Sequence, residues 1–478
     1  MILKCRGRVP AGLALAVTLV ACSSSSHPAA PKPELSLSAD LARVYAAGLS
    51  KPVADPYYPE HGSPTIDVLH YGLDLTWAPD HKALSGTATL AVRATTGTDT
   101  VRLDFGAPLS VDAATVDGRT VHPEHQGDVL RVPAGRRLAR GTTVAVVIKY
   151  HGTPQSVKGP AERSDTQHLG FQIGQDGSAV AIQEPFGAFT WYPVNDQPSD
   201  KALYDVAITV PQGWSGVSSG TFEGRTGETY HWKSVVPMAS YLVTFAADRF
   251  EMIRGTGPNG LPLTYWVRPK DKAANLAVLQ RTPQILRWLE QYLGPFPFPS
   301  AGAVIAGDSG METQQMITVM TGLPDHVFAH EYTHQWFGDS VTPTTWPDLW
   351  LNEGFAEYFE WLYEARNLTG AAFDAFIGQV TTQADGRLRK RYGPPGHFNK
   401  NMFASGNVYY SPAVMLHKIR KKVGDAKFFA MLRGWVQQHA RTSQDRASFT
   451  AFASRSTGVD LKPLIDQWLD STTTPKGG

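Results

Sequence analysis

The chain has 478 residues, of which 42% are hydrophobic and 18% are charged. It is too long for one compact core, so a globular protein of two or three domains is expected. Its 44 lysine and arginine residues balance 43 aspartate and glutamate residues, for a formal net charge of +1. No basic block stands out in the sequence, and this excludes the charge pattern typical of a nucleic-acid-binding protein.

The N-terminus has the pattern of a secretory signal. Three basic residues, Lys4, Arg6 and Arg8, precede an apolar run over residues 11–20. Such a run is too short to span a bilayer as a finished transmembrane helix, and it is typical of a cleaved signal peptide. Residues 1–21 are therefore predicted to be a signal peptide.

The signal ends in Leu-Val-Ala-Cys at Cys22, a pattern that resembles a bacterial lipobox. In a lipobox the cysteine is lipidated and becomes the first mature residue, and its acyl chains then bind the membrane. A serine- and proline-rich stretch follows, typical of a flexible tether, and residues 22–50 are assigned to the lipidated cysteine and this tether. The expected location is the extracytoplasmic face of a bacterial membrane. The alternative is a plain signal peptide with a chance cysteine.

The next two hundred residues have the alternation of β-strands. A short helix is expected over residues 41–49, and turn signals then separate apolar-polar stretches. Strands are predicted at 71–77, 86–92, 143–150, 204–210 and 240–245. The pattern indicates an all-β domain over residues 51–252.

From residue 253 onwards the apolar residues recur at helical spacing. Helices are predicted at 273–293, 373–381, 413–422, 426–438 and 464–469. Residues 253–478 are therefore assigned to a second, mainly α-helical domain, and the fold class is α+β.

The second domain contains the pattern His-Glu-x-x-His at His330, Glu331 and His334. Histidines four residues apart lie on one helical face, so both imidazoles can bind one metal, and the glutamate between them is placed as a general base. Pro324 suits the start of this helix and Gly338 suits its end. The motif predicts a zinc peptidase site with Glu331 as its base.

A third zinc ligand is expected, since catalytic zinc usually takes three protein ligands and a carboxylate often joins two histidines. Glu353 follows His334 by nineteen positions and begins an apolar helical stripe. The alternative is that Glu353 and the acidic residues after it form one solvated face. That alternative is preferred for Glu357 and Glu364 but not for Glu353. For Glu360 both interpretations stay open, because its carboxylate could accept the free N–H of a zinc histidine.

Residues 330–338 and 350–356 closely resemble the two zinc-site motifs of the aminopeptidase N family of gluzincin zinc peptidases. The segments 71–75, 84–88 and 183–198 resemble parts of the β domain of the same family. The resemblance implies a saddle-like N-terminal β domain followed by a thermolysin-like catalytic domain. It implies one Zn²⁺ per chain.

The resemblance also implies residues that bind the substrate's free amino group. Glu312 matches the glutamate of the family's Gly-x-Met-Glu-Asn motif, although Ser309 and Thr313 replace the motif's first and last residues. Glu184 matches a second amine-binding carboxylate, supplied by the β domain. Two carboxylates facing an ammonium group would explain a requirement for an unblocked N-terminus.

A tyrosine hydroxyl stabilises the oxyanion in this family, and Tyr409 is the nearest match to it. In this alignment Pro412 replaces the glycine expected after the tyrosine. Proline is tolerated in a first helical turn, so the geometry is expected to survive. The neighbouring Tyr410 is the alternative assignment.

The combined pattern predicts a zinc aminopeptidase that acts on peptides with a free N-terminus. One alternative is an endopeptidase of the same chemistry. The other is a lipoprotein that binds peptides without turnover, although Glu331 would have no purpose there. Many family members carry a further helical domain, which is expected to be missing here because the sequence ends soon after Tyr409. No sequence pattern indicates an oligomeric state.

Overall fold

The computed structural model describes residues 37–163 and 167–476. The predicted signal peptide and Cys22 lie outside the described residues. Within the described part of the chain, no helix is both long and apolar enough to cross a membrane. The described residues form an N-terminal β domain and a C-terminal domain rich in helices.

The N-terminal domain begins with a short helix and continues as strands of two to thirteen residues. Their bounds are α1 Leu37–Val44, β1 Ile66–Ala78, β2 Ala83–Ala94, β3 Thr98–Asp104, β4 Leu109–Val116, β5 Arg119–Val121, β6 Glu124–Gln126, β7 Val129–Leu138, β8 Thr143–Gly152, β9 Val157–Lys158, β10 His168–Ile173, β11 Ala179–Ile182, β12 Lys201–Thr209, β13 Ser215–Ser218, β14 Thr221–Thr226, β15 Thr229–Ala239 and β16 Phe245–Asp248.

An eight-stranded sheet in the order β14-β15-β12-β1-β2-β8-β4-β5 dominates this domain. Its pairs are antiparallel except β1 with β12, where Tyr71 lies opposite Tyr204. A five-stranded sheet, β13-β16-β11-β10-β9, and a three-stranded sheet, β3-β7-β6, complete the domain. The alternating side chains of β1 and β2 are buried on one face, for example Leu73 and Trp77. This alternation is why the sequence predicted these strands.

The C-terminal domain alternates short strands with longer helices. Their bounds are β17 Glu251–Thr256, β18 Pro262–Val267, α2 Lys272–Leu293, β19 Ala301–Ile305, β20 Gly310–Met311, β21 Ile317–Val319, α3 Asp325–Thr333, β22 Val341–Pro343, α4 Trp350–Glu364, α5 Gly370–Val380, α6 Gly386–Tyr392, α7 Gly406–Val423, α8 Asp425–Gln438, β23 Thr442–Gln444, α9 Arg446–Thr457 and α10 Lys462–Asp470.

A five-stranded sheet in the order β17-β18-β19-β21-β20 opens this domain, and the sequence did not predict it. Its central strands pair in parallel, and all residues of β19 and β21 are buried. A strand buried on both faces shows no apolar-polar alternation. The predicted domain boundary at 252/253 falls within β17, at the edge of this sheet, and it stays a prediction.

Three local predictions were wrong. Pro412, expected in a first helical turn, lies inside α7, six residues after its start at Gly406. The segment predicted as one strand at 240–245 is a 3₁₀ turn over Ser240–Leu242 followed by β16. The helix with the histidine pair ends at Thr333, whereas Gly338 was predicted as its end. Residues 334–337 continue as turns whose backbone N–H groups still bond to carbonyls of the last helical turn, such as Phe337 N to Thr333 O at 3.2 Å.

The two domains contact each other through buried polar groups. Lys201 on β12 donates from Nζ to Asp339 O and to Thr342 Oγ1, each at 2.7 Å. Tyr241 donates to Gly338 O at 3.1 Å and accepts from Asn352 Nδ2 at 3.2 Å. These contacts fix the loops after α3 and the start of α4 against the β domain.

Candidate active site

Three metal-binding side chains converge between α3 and α4. His330 and His334 stand one turn apart on the same side of the chain, and Glu353 faces them from the first turn of α4. Glu353 Oε2 lies 3.4 Å from Nε2 of each histidine. All three side chains are buried, and Oε2 has no hydrogen-bond partner among the described residues.

This geometry fits a zinc ion. Ligand atoms about 2.0–2.1 Å from a tetrahedral zinc are about 3.4 Å apart. The separations between Glu353 and the two histidines have this value, and two imidazoles with a carboxylate form a known donor set for catalytic zinc. The same three residues form one of the groups whose donor atoms all lie within 4.8 Å of one another.

Outer contacts orient both imidazoles. His330 Nδ1 lies 2.9 Å from Glu360 Oε2, the contact that the spacing of Glu360 suggested. His334 Nδ1 lies 3.2 Å from Phe337 O. Both contacts leave Nε2 to face the metal position. Although burial opposes ionisation, the two histidines hold the pKa of Glu353 below its usual range.

Glu331 points from α3 to the same position. Its side chain is buried, and Oε1 is so close to Gly310 that a side-chain carbon there would meet it at 2.1 Å. Burial raises the pKa of Glu331 to about 7, an effect that the neighbouring histidines oppose. A carboxyl group with a pKa near the working pH can accept a proton and return it.

Two further carboxylates face the metal ligands. Glu312 lies in the loop after β20, and Glu184 lies in the loop after β11 of the β domain. Oxygens of both lie within 4.8 Å of a Glu353 oxygen and of each other. Oε1 of each is buried without a hydrogen-bond partner in the described structure. Burial raises the pKa of both carboxyls, and the charge of Glu312 raises that of Glu184 further. Such a pair is suited to a cationic ligand.

The loop that carries Glu312 is held by the end of the zinc-motif segment. Gln335 donates from Nε2 to Glu312 O at 3.0 Å and accepts from Gln315 N at 2.8 Å. Thr313, which replaces the family asparagine, is buried and donates to Met316 O. Thr313 therefore fixes the loop internally and does not point to the site as a substrate contact.

Tyr409 lies beside the metal ligands. Its ring is 6.1 Å from the His330 ring at an interplanar angle of 20°. Burial raises the pKa of Tyr409 well above its usual value. Tyr410, the alternative assignment, packs edge-on against Trp361 at 5.4 Å. The geometry thus favours Tyr409 over Tyr410 as the hydroxyl donor.

Arg163, in the loop between β9 and β10, was not singled out from the sequence. It donates from Nη1 to Tyr409 Oη at 3.1 Å and to Ala404 O at 3.0 Å. No sequence signal marks it, because it belongs to another domain and stands 246 positions before Tyr409.

The three metal ligands line one cavity of about 520 Å³ together with Glu331, Glu312, Glu184, Tyr409 and Arg163. Its walls contain seven carboxylates and, among the described lining residues, one guanidinium, that of Arg163. The carboxylates are Glu184, Asp308, Glu312, Glu331, Glu353, Glu357 and Glu360. The cavity is therefore strongly acidic, which a zinc ion and a cationic substrate would offset.

The predicted solvent exposure of Glu357 was wrong. It was assigned to a solvated face, yet it is 8% exposed and lines the cavity. Burial and the charge of Glu360 raise the pKa of Glu357 to about 8. Glu364, assigned to the same face, is exposed as predicted. The difference follows from position along α4, since Glu357 stands one turn after Glu353, whereas Glu364 is the last residue of the helix.

Comparison with known proteins agrees with this architecture. Residues 67–242 match the Peptidase M1 N-terminal domain, and residues 278–468 match the Peptidase family M1 domain. A mutant M1 zinc metallopeptidase from Deinococcus radiodurans, solved with a bound Tyr-Ser-Ala substrate, is 27% identical with a TM-score of 0.80. That alignment covers 89% of this chain and 98% of that one.

Curated relatives are larger proteins. Glutamyl aminopeptidase of Bos taurus is 27% identical over 336 residues, which cover 63% of this chain and 35% of the relative. Glutamyl aminopeptidase of Homo sapiens is 34% identical over 214 residues, 40% of this chain and 22% of the relative. The matched segments thus span about a third or less of those proteins. The two domain matches together cover most of this sequence, and the chain belongs to peptidase family M1.

Proposed function

We propose that this protein is a zinc-dependent aminopeptidase that removes N-terminal residues from peptides. The observation that carries the proposal is the carboxylate pair of Glu184 and Glu312 beside the metal ligands, each with a buried oxygen that has no partner among the described residues. Since both acids lie within 4.8 Å of Glu353, an ammonium bound there would bring only the first peptide bond to the metal. Relatives named glutamyl aminopeptidase support the same reaction class.

The residues divide the reaction between them. His330, His334 and Glu353 would hold a zinc ion, which would supply Lewis-acid activation of water and of the carbonyl group. Glu331 accepts the proton of the attacking water and then delivers it to the leaving amine. Tyr409 donates a hydrogen bond from its hydroxyl to the oxygen that becomes negative in the transition state.

The test compares one short peptide with a free and with an acetylated N-terminus. We expect zinc-dependent release of the first residue from the free peptide alone, lost on chelation and restored by zinc. Cleavage of the acetylated peptide at an internal bond would support the endopeptidase alternative. Binding of the peptide without release of any product would support the non-catalytic alternative.

Two variants assign the roles. Glu331→Gln should retain zinc and lose at least about a thousandfold in kcat, because the base is gone while the ligands stay. Glu312→Gln should raise KM for the free peptide far more than Glu364→Gln, a matched change at an exposed position of α4. Full activity in Glu331→Gln would contradict the mechanism.

We also propose that the mature protein is anchored to the outer face of a bacterial membrane by lipid on Cys22. The support is the lipobox-like sequence before Cys22 and the serine- and proline-rich stretch after it. Fractionation of the full chain tests this. The wild type should be found in the membrane fraction and carry labelled palmitate, whereas Cys22→Ala should carry no label. Equal labelling of the two proteins would refute the anchor.

A further inference from the structure

One buried acid of the cavity has no part in the proposed reaction. Glu353 binds the metal, Glu331 is the base, and Glu184 and Glu312 hold the amine, while Glu360 orients His330. Glu357 lines the same cavity and does none of these things.

Glu357 is also not paired with a lysine or an arginine of the described chain. It is 8% exposed, and among the described residues no lysine or arginine forms an ion pair with it. Glu360 adds a second negative charge beside it, and the nearby groups that favour its ionised form are the neutral indole of Trp361 and the metal-ligand candidate His330. Because a histidine that binds a metal is neutral, His330 would not neutralise Glu357 in the zinc-loaded protein, and a buried carboxylate in that position gains from a cationic ligand.

The acids of the cavity fall into two pairs that meet at the metal ligands. Glu184 and Glu312 lie within 4.8 Å of Glu353, whereas Glu357 and Glu360 lie within 4.8 Å of His330. The groups that act electrostatically on Tyr410 are Glu357 and Glu360, and those that act most strongly on Glu184 are Glu312 and Glu353. The second pair is thus separate from the amine site.

A peptide whose amino group lies at the first pair must pass the metal at its first peptide bond. The residue after that bond then extends beyond the metal, to the part of the cavity that the amine site does not occupy. Apolar side chains of the same cavity, including Val327 and Leu388, can pack against the methylene stem of a long basic side chain.

We propose that Glu357 selects peptides whose second residue is lysine or arginine, by binding the cationic end of that side chain. The inference rests on the proposed aminopeptidase function and adds the substrate class to it. It assigns Glu357 as a specificity-determining residue that contacts the leaving part of the substrate.

The zinc-loaded wild-type enzyme tests this without mutation. Peptides of the form Ala-X-Ala-Ala are compared for X = Lys, Met and Glu, and a second series varies the first residue with the second kept as alanine. We expect kcat/KM for X = Lys to exceed that for X = Met by roughly tenfold or more, and X = Glu to be poorest. A basic preference confined to the first residue would overturn the inference.

The variant Glu357→Gln tests whether Glu357 causes the preference for lysine over methionine at the second position, measured as the ratio of the two kcat/KM values. It should reduce the Lys/Met ratio towards one, and Glu357→Asp should retain part of the ratio. Glu364→Gln, the exposed match on the same helix, should leave the ratio unchanged. An unchanged ratio in zinc-loaded Glu357→Gln would overturn the inference.

The outcomes separate the two proposals. Release of alanine from all peptides at equal rates would overturn the role of Glu357 and leave the aminopeptidase function standing. Failure to release alanine from any free peptide would overturn both.

Discussion

The hydroxyl of Tyr409 is held from the other domain. Arg163 donates to Tyr409 Oη at 3.1 Å, and its guanidinium carbon lies 5.8 Å from the Tyr409 ring centre. Because a donor occupies one lone pair of the hydroxyl oxygen, the hydroxyl proton can point to the reacting carbonyl. We therefore propose that Arg163 acts through Tyr409, as a positioning residue.

Arg163→Met should therefore lower kcat by about ten- to a hundredfold with a smaller change in KM, because a charge-assisted hydrogen bond contributes about 1.5–3 kcal/mol. Arg163→Lys should retain part of the rate. The effect should disappear in a Tyr409→Phe background, which lacks the hydroxyl. The measurement is kcat and KM for one peptide in the wild type, Arg163→Met, Arg163→Lys, Tyr409→Phe and the Arg163→Met/Tyr409→Phe double variant.

A neighbouring ion pair supplies the control for Arg163. Glu162, in the same loop, pairs with Arg391 of α6 at 2.8 Å, and both side chains are exposed. Arg391→Met removes that contact without touching Tyr409, so kcat should stay within twofold of the wild type. If Arg163→Met were as harmful in the Tyr409→Phe background as in the wild type, the residue would act through general loop anchoring.

Residues can be identified from the sequence when their chemistry restricts both the residue type and the spacing along the chain. His330, His334 and Glu353 obey such a rule, because a metal requires donors at fixed separations. Arg163 and Glu357 obey no comparable rule. An arginine in a loop and a glutamate in an acidic helix are usually solvent-exposed surface residues. Only the folded structure shows that Arg163 and Glu357 line the cavity instead.

At the scale of helices, the contact between α4 and α7 fixes Tyr409 relative to Glu353. A side-chain carbon added at Gly354 would lie 2.4 Å from Pro412 Cβ. Gly354 follows the metal ligand directly, and Pro412 stands three residues after Tyr409. The close approach of these two residues therefore couples both sides of the active site.

Gly354→Ala should force α4 and α7 apart and lower kcat, with a loss of about 1–3 kcal/mol in the free energy of unfolding, as in other overpacked cores. A second change to Pro412→Gly, which removes the opposing Cβ, should restore kcat. A second change to Pro412→Ala, which keeps that atom, should not. The readouts are kcat, zinc content and urea unfolding.

Gly378→Ala in α5 is the matched control, because no atom lies within 4 Å of the added carbon. It should change the free energy of unfolding by no more than about 1 kcal/mol, in the stabilising direction. Wild-type kcat in Gly354→Ala would show that the helix contact does not set the position of Tyr409.

A buried ion pair joins α6 to the C-terminal segment. Arg389 donates from Nε to Asp385 at 2.8 Å and from Nη1 to Ser471 O at 2.7 Å, and both charged side chains are fully buried. Asp385 also accepts from Thr474 Oγ1 at 2.6 Å and from Ser411. Removing one partner would leave the other charge buried and uncompensated.

Arg389→Met should therefore cost about 3–5 kcal/mol in the free energy of unfolding. Arg391→Met, at an exposed pair on the same helix, should cost no more than about 1 kcal/mol. Urea unfolding of the two variants beside the wild type measures both. Equal and small losses would contradict a structural role for the Arg389 pair.

The elements that the sequence predicted well are long and amphipathic. Helix α2 was expected at 273–293 and is found at Lys272–Leu293, because its apolar residues recur for several turns. Strands such as Ala301–Ile305 were missed, because every residue in them is buried. The start of α7 was also missed, since Gly406 and Pro412 are poor helix formers that packing overrides.

At the scale of the molecule, the segment before β1 joins the two domains. Tyr58 donates from its hydroxyl to Lys400 O at 2.7 Å, across 342 positions of sequence. His61 stacks on Phe186 at 4.1 Å and on Phe189 at 5.1 Å, beside the loop that carries Glu184. Local patterns cannot predict such contacts, because the partners are far apart in the chain and share no periodicity.

The stacked position of His61 predicts how stability depends on pH. Burial lowers the pKa of His61 to about 4, and the charge of Arg102 adds to the effect. An unfolded histidine titrates near pH 6.5. Between these values the unfolded chain binds a proton that the folded chain does not, so the free energy of unfolding falls as the pH falls from about 6.5 to about 4.

His61→Phe keeps an aromatic ring in the stack and removes the titrating group. The loss of stability between pH 7 and pH 5 should therefore be smaller in His61→Phe than in the wild type by about 2 kcal/mol, measured by urea unfolding at the two pH values. His122→Phe, at an exposed position, is the control and should leave this difference unchanged. An identical pH dependence in wild type and His61→Phe would mean that the imidazole gains its proton without leaving the stack. The junction between the domains would then tolerate a charge that its aromatic surroundings should exclude.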